Sequence, residues 1–361
     1  MLVILNQYQI FTLITNFFDS PSDQVRINIA NIFHRAIFHE YLNDEVEITI
    51  NILYKIIDLF FQKSFIWAAD VNHEELQFIC LDFQFIMLNI FNQYEDPPFT
   101  DETIAQLNEL YISVFQVGTD RLKKCSLGCL IKIMLIQKKY QFEPSQMIEI
   151  LLSTLKLQIN DIDRYIFQFL VILTTILSDE KKNKGNMIFI HQLIDFNFLC
   201  EKMVTSSDQE ALYWLTLWIY SIIEYDPDCI ELLLKTNYIQ YTKKILDSGN
   251  ISICLNISGS FKNIFFLANP QQLLLVFQSG IIQYLFQFFN DSLNDTTSAV
   301  FYAICGAVEK CTQALGNEVL QKIQTIFLNE AMENLQNLRD CDYKEIPVYA
   351  DQLFDLLGLE D

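Results

Sequence analysis

Glycine and proline are scarce, at 9 and 7 in 361 residues. Hairpin-rich β architectures need those residues at their turns, so a sandwich or barrel is disfavoured, while long helices lose nothing by their scarcity. Basic residues are also outnumbered, with 24 Lys and Arg against 45 Asp and Glu, for a formal net charge of −21. Such a surface repels nucleic acid and anionic membranes, so neither is an expected partner. It attracts a basic partner, and the same acidity also serves plain solubility.

No C-x-x-C pair occurs. The nine cysteines stand singly (Cys80, Cys200, Cys229, Cys254, Cys341) or at helical offsets (Cys125 with Cys129, Cys305 with Cys311). This usage fits a reducing compartment, cytoplasm and nucleus, with most thiols serving as small core residues. The serine-hydrolase, zincin, P-loop and dinucleotide fingerprints are missing as well. His34, His39, His73 and His191 are dispersed, and the first two, five positions apart, have a poor same-face spacing for a metal. No enzyme, cofactor or metal is therefore expected. Met1 to Phe18 is apolar but has no basic flank, against a signal peptide. Ile264 to Asn290 carries no charge and is long enough to span a bilayer, yet Pro270, Gln271, Gln272 and Gly280 split it into two short amphipathic helices. The basic run Lys181-Lys182-Asn183-Lys184 is read as a solvated turn.

What the chain has is a repeat. Polar, helix-starting clusters recur, marked by Asp23, Glu75, Asp120, Asp163 (in Asn160-Asp161-Ile162-Asp163), Asp208, Asn250 (in Ser248-Gly249-Asn250), Asp295 and Asp342. Their successive spacings are 52, 45, 43, 45, 42, 45 and 47. Each marker offers a side-chain oxygen to cap a helix, and an apolar segment of helical period follows, as with Leu212, Leu215, Ile219 and Ile222 after Asp208. A second apolar helix precedes it, as with Ile281, Ile282, Leu285, Phe286, Phe288 and Phe289. The period matches armadillo or HEAT units of about 40–47 residues and exceeds the tetratricopeptide period of about 34. The expectation is an all-α, right-handed superhelical solenoid of about eight three-helix repeats. It forms one domain over 1–361, with third helices starting near 23, 75, 120, 163, 208, 250, 295 and 342. The widest gap, holding Lys63 to Asp70, reads as a loop insertion.

Three segments carry a family likeness. Asn256 to Asn290 (NISGSFKNIFFLANPQQLLLVFQSGIIQYLFQFFN) resembles an importin-α (karyopherin-α) armadillo unit. In that unit a third helix ending in asparagine is followed by a loop, a helix closed by glycine and a hydrophobic helix. Asn263 falls at the family's ligand-binding asparagine, Gln271 and Gln272 at the start of the next helix, Gly280 between the helices and Leu285 on the second. Glu333 to Asp361 is similar to the family's last repeat through Leu335-Gln336, Ile346, Ala350 and Leu353-Phe354-Asp355, although about three residues are inserted before Ile346. Glu210-Ala211-Leu212-Tyr213-Trp214 is similar to the start of a third helix, but Trp218 stands where the family has asparagine. Asn31, Arg35, Tyr302 and Gly306 likewise break the family's paired tryptophan and asparagine ladder.

The resemblance implies a concave groove that binds an extended basic segment of a partner protein, with tryptophan rings receiving lysine and arginine stems. The peptide-binding candidates are Asn263, Trp214, Trp218, Glu210 and Tyr302. Each has a plainer alternative: core packing for Trp214, Trp218 and Tyr302, a capping or inter-helix tie for Asn263, and a first-turn acid favoured by the helix dipole for Glu210. The family's basic segment that recruits importin-β has no counterpart here, so importin-β binding by that route is not expected. Two functions follow as expectations: an importin-α-like nuclear import adaptor, or an armadillo scaffold within a larger cytoskeletal or ciliary complex.

Overall fold

A computed structural model describes residues 10–42, 59–92, 99–137, 163–177, 194–247, 250–343 and 345–359. Every regular element among them is a helix. Asn160 to Ile162, Lys181 to Lys184, His191, Ser248 and Gly249 lie outside the described residues, as does the side chain of His39. The chain falls into two compact units, Met1–Tyr165 and Ile166–Asp361.

The first unit holds α1 (Ile10–Thr15), α2 (Asp23–Leu42), α3 (59–68), α4 (Glu74–Phe91), α5 (Asp101–Val117) and α6 (Asp120–Gln137). The long helices α2, α4 and α6 stack side by side in that order, and α5 packs along α6. Their core is aromatic. Phe33 and Phe60 stack with centroids 4.2 Å apart, and Phe18, Trp67 and Phe83 meet that pair at angles, all of them buried. Burying such a ring contributes about 1.5–3 kcal/mol.

The expected loop insertion at 63–70 is corrected: 59–68 is helical. Phe60, Phe61, Ser64, Trp67 and Ala68 recur at three- and four-residue steps and all face inward. Buried amides tie this helix to its neighbour, Gln84 donating to the Ser64 hydroxyl at 2.8 Å and Gln77 to the Ala68 carbonyl at 2.8 Å. The 52-residue spacing between Asp23 and Glu75, wider than the others, is what made the segment read as an insertion.

After α7 (Asp163–Leu177), within which the division falls, the second unit holds α8 (Phe196–Thr205) and α9 (Gln209–Tyr225). Three complete triplets follow. They are α10 (Cys229–Leu234), α11 (Tyr238–Leu246) and α12 (Ile251–Leu267); α13 (Pro270–Gln278), α14 (Ile281–Asp291) and α15 (Asp295–Leu315); and α16 (Asn317–Glu330), α17 (Met332–Arg339) and α18 (Ile346–Leu357). Third helices stack in the order α9, α12, α15, α18, and second helices in the order α8, α11, α14, α17. The fold is thus an all-α solenoid of armadillo type, in which each unit covers the apolar face its neighbour cannot cover alone.

Local chemistry explains where these helices start and stop. Asp208 accepts hydrogen bonds from the Glu210 and Ala211 amides, Asn250 from that of Ile253 and Asn294 from that of Thr297. Each satisfies a donor that the first turn leaves orphaned. The last third helix begins at Ile346, four residues beyond the Asp342 marker, with Pro347 in its first turn. Asn269 and Gln272 form a reciprocal capping box with Pro270 inside it, and Gly280 (φ 75°) makes the left-handed turn between α13 and α14, which bend by 71°. Among the described residues no single helix is long and apolar enough to cross a membrane.

Candidate functional site

The third helices of the second unit bury most of their surface, and what they leave exposed defines the candidate site. On α12, Phe261 and Phe265 point into the core, and the next residue, Phe266, is turned about 100° outward and is 45% exposed. On α15, Phe301 stacks on Phe286 at 4.9 Å inside the core, and its neighbour Tyr302 is 53% exposed. Tyr349 on α18 is half-buried. These three rings meet across three successive repeats, with centroids 5.9 Å apart from Phe266 to Tyr302 and 5.7 Å from Tyr302 to Tyr349.

Carboxylates accompany this row. The Tyr349 hydroxyl donates to Glu345 at 3.2 Å, and partial desolvation together with that carboxylate pushes the phenol above its usual pKa. The Cys305 thiol, 3.5 Å from the Tyr349 carbonyl, is pushed up to about 12 by burial and then by the nearby charge of Glu309. Lys310 is committed elsewhere: its ammonium donates to the Ala268 carbonyl at 2.7 Å, closing the C-terminal end of α12.

Elsewhere on the third helices, several aromatic faces are occupied by cations of the chain itself. Arg121 lies 3.4 Å from the centroid of Phe78, Lys132 lies 5.6 Å from that of Phe85 and Lys262 lies 5.5 Å from that of Tyr220. Each cation comes from the third helix following the one that carries the ring. Among the described residues, no cation lies over Phe266, Tyr302 or Tyr349, so this row keeps the ring faces a lysine or arginine stem would need.

Of the sequence candidates, Tyr302 sits in the row. Trp214 is half-buried on α9, edge-on to Tyr213 at 5.4 Å. Glu210 is exposed in the first turn of α9, where its amide is capped by Asp208.

Trp218 and Asn263 lie inside the structure. Trp218 is fully buried, stacks against Phe196 at 5.9 Å and donates its indole N–H to the Thr174 hydroxyl at 3.0 Å. Asn263 is 4% exposed and donates to the Tyr220 carbonyl of the preceding third helix at 3.2 Å. Asn256, seven residues earlier, makes the same tie to the Tyr213 carbonyl at 3.2 Å. Both asparagines fasten α12 to α9. Phe266 and Tyr349 escaped the sequence reading. Their one signal is an aromatic residue about one repeat or slightly less away from Tyr302.

Burial raises the thiols of Cys80, Cys129, Cys200, Cys229, Cys254, Cys305 and Cys311, which keeps them protonated. Among the described residues no three His, Cys, Asp or Glu side chains are grouped to hold a metal.

No protein-family model matches the chain, and no curated protein matches it in sequence. Solved structures do match in fold. The crystal structure of an engineered protein superposes with a TM-score of 0.64 at 11% identity, covering 100% of this chain and 91% of the other. A designed armadillo repeat protein covers 75% of this chain and 98% of its own at 14% identity and a TM-score of 0.45. A second, in complex with the peptide (KR)4, covers 82% of this chain and 98% of its own at 13% identity and a TM-score of 0.40. At these scores the two designed proteins add nothing to the fold described above.

Proposed function

We propose that this chain is a non-catalytic interaction scaffold that takes an extended basic segment of a partner polypeptide across Phe266, Tyr302 and Tyr349. One observation carries the reading: a row of three rings, two exposed and one half-buried, that the chain's own cations leave uncovered, with Glu309 and Glu345 beside it. Lysine and arginine stems bury apolar area on such rings while their charge meets the carboxylates. The net charge of −21 adds a long-range attraction that fades with salt.

In its finer form the segment is of nuclear-localisation type and the chain is an importin-α-like adaptor working between cytoplasm and nucleus. The likeness of Asn256 to Asn290 supports that form. The burial of Trp218 and Asn263 supports the other, an armadillo scaffold held within a larger assembly, because two of the positions an import groove would use are spent on packing.

Fluorescence anisotropy with a labelled lysine- and arginine-rich peptide tests the reading. Each exposed cation–π contact contributes about 0.5–1 kcal/mol, so Tyr302→Ala weakens binding about two- to fivefold. Absence of saturable binding at moderate salt removes the proposal and leaves the fold untouched. A nuclear-localisation peptide no tighter than a scrambled peptide of equal charge removes the import form alone.

A further inference from the structure

Among the described residues, three third helices carry a glycine in their interior, and packing accounts for two of the three. A Cβ on Gly128 of α6 would come to 3.3 Å from the Phe85 ring, and one on Gly259 of α12 to 3.1 Å from the Tyr220 ring. Gly306, inside α15, is different. It is exposed, and a Cβ added there would meet nothing within 4 Å. Nor does its backbone ask for glycine, since it is not among the residues with positive φ. Glycine in the middle of a helix is less stable than alanine because it gives up more backbone freedom on folding. Gly306 thus carries a cost that the fold itself does not require.

The space it leaves open lies within the ring row. Tyr302, one turn before it, meets the Phe266 ring with centroids 5.9 Å apart, and Lys310, one turn after it, places its ammonium 3.5 Å from the Phe266 carbonyl. Cys305, the residue before it, has its thiol 3.5 Å from the Tyr349 carbonyl. Gly306 is therefore set among residues that touch both flanking third helices, with open space above it. Glu309 is exposed three residues further on, along the same face of α15.

We infer that Gly306 is a specificity-determining residue of the proposed basic-segment site, leaving a gap that receives the aliphatic stem of one lysine or arginine of the partner. The inference rests on that reading of the row and adds to it the place where one side chain is taken. A methylene stem is slender enough to lie over a residue that has no side chain, and there it buries apolar area against the Tyr302 ring. Its charged head is then within reach of the Glu309 side of the helix, where attraction replaces the water it gives up. Any side chain on residue 306 itself would fill the same space and exclude the stem.

The test measures stability and binding together for Gly306→Ala and Gly306→Leu in the full chain. The urea midpoint, followed by circular dichroism, is expected to rise for Gly306→Ala, since alanine is the better helix former and meets no neighbour. Affinity for a fluorescein-labelled lysine-rich peptide is expected to move the other way, falling about threefold for Gly306→Ala and about tenfold for Gly306→Leu. A second peptide of equal charge, with every lysine replaced by 2,4-diaminobutyrate, shortens each stem by two methylenes. The wild-type chain is expected to bind it about fivefold more weakly than the lysine peptide, and Gly306→Leu to narrow that preference. Wild-type affinity in both variants, while Tyr302→Ala still weakens binding, overturns this inference alone. So does a Gly306→Leu chain that keeps the full preference for the longer stem, or a Gly306→Ala chain less stable than wild type. Absence of peptide binding by the wild-type chain overturns the proposed function itself, and this inference with it.

Discussion

Replacing Trp218 separates a packing role from a ligand-binding one. The side chain has no exposed surface, stacks on Phe196 and is hydrogen-bonded to a buried hydroxyl on Thr174. Trp218→Ala removes the largest ring at the junction of α7, α8 and α9. Truncating a buried tryptophan costs about 3–5 kcal/mol, a large share of the roughly 5–15 kcal/mol that holds a domain folded. Trp218→Phe keeps a ring against Phe196 but leaves the Thr174 oxygen without its donor, at a cost of about 1–3 kcal/mol. In a stacked-repeat protein the loss falls on the interface between neighbouring units, so unfolding broadens as well as shifts. Urea unfolding followed by far-UV circular dichroism reads both effects. Basic-peptide affinity, measured below the transition, stays at the wild-type value for Trp218→Phe. A Trp218→Ala chain that unfolds at the wild-type midpoint but loses peptide binding would refute this assignment and return the ring to a ligand surface.

Other perturbations give equally distinct outcomes. Asn263→Ala breaks the tie to the Tyr220 carbonyl and destabilises the chain by about 1 kcal/mol in urea titrations, with peptide affinity unaltered. Lys262→Ala bares the Tyr220 ring and adds a cation slot, so basic-peptide binding tightens, by up to about fivefold in anisotropy titrations. Gly280→Ala strains a left-handed turn and brings a Cβ to 3.2 Å from Glu330 and Lys243 side-chain atoms, lowering stability by about 1–2 kcal/mol in the same titrations. Burial raises the thiols of Cys200, Cys254 and Cys311 to about 11 and that of Cys305 to about 12. Above about pH 9 the unfolded chain therefore releases protons that the folded chain retains. Stability is full below that pH and falls as pH rises toward 11–12, by about 1 kcal/mol per pH unit for each thiol. Urea midpoints between pH 8 and 11 check the sign.

The helical fold was legible because its signals are local. Asp208, Asn250 and Asn294 offer capping oxygens, Asn269 and Gln272 form a capping box, and Gly280 supplies a turn that other residues resist. The surface was less legible because it depends on register between helices. Trp214 and Trp218 are one turn apart, but four residues advance a helix by about 400°, a rotation of about 40° beyond a full turn. That rotation takes Trp218 into the interface and leaves Trp214 at its edge. Asn263 looked like a ligand group because a polar amide inside an apolar helix needs a partner, and its partner is a carbonyl one repeat earlier. Phe266 was hidden beside Phe265, which differs from it only in the direction it faces. The row also does not follow a constant period: Phe266 and Tyr302 are 36 residues apart, Tyr302 and Tyr349 47.

The location of a bound basic segment tests the account most directly. A lysine-rich peptide bearing a photoreactive diazirine, cross-linked at moderate salt and mapped by mass spectrometry, is predicted to mark α12, α15 and α18 around Phe266, Tyr302 and Tyr349. Cross-links confined to other helices, or spread over the acidic surface without preference for that row, would contradict it.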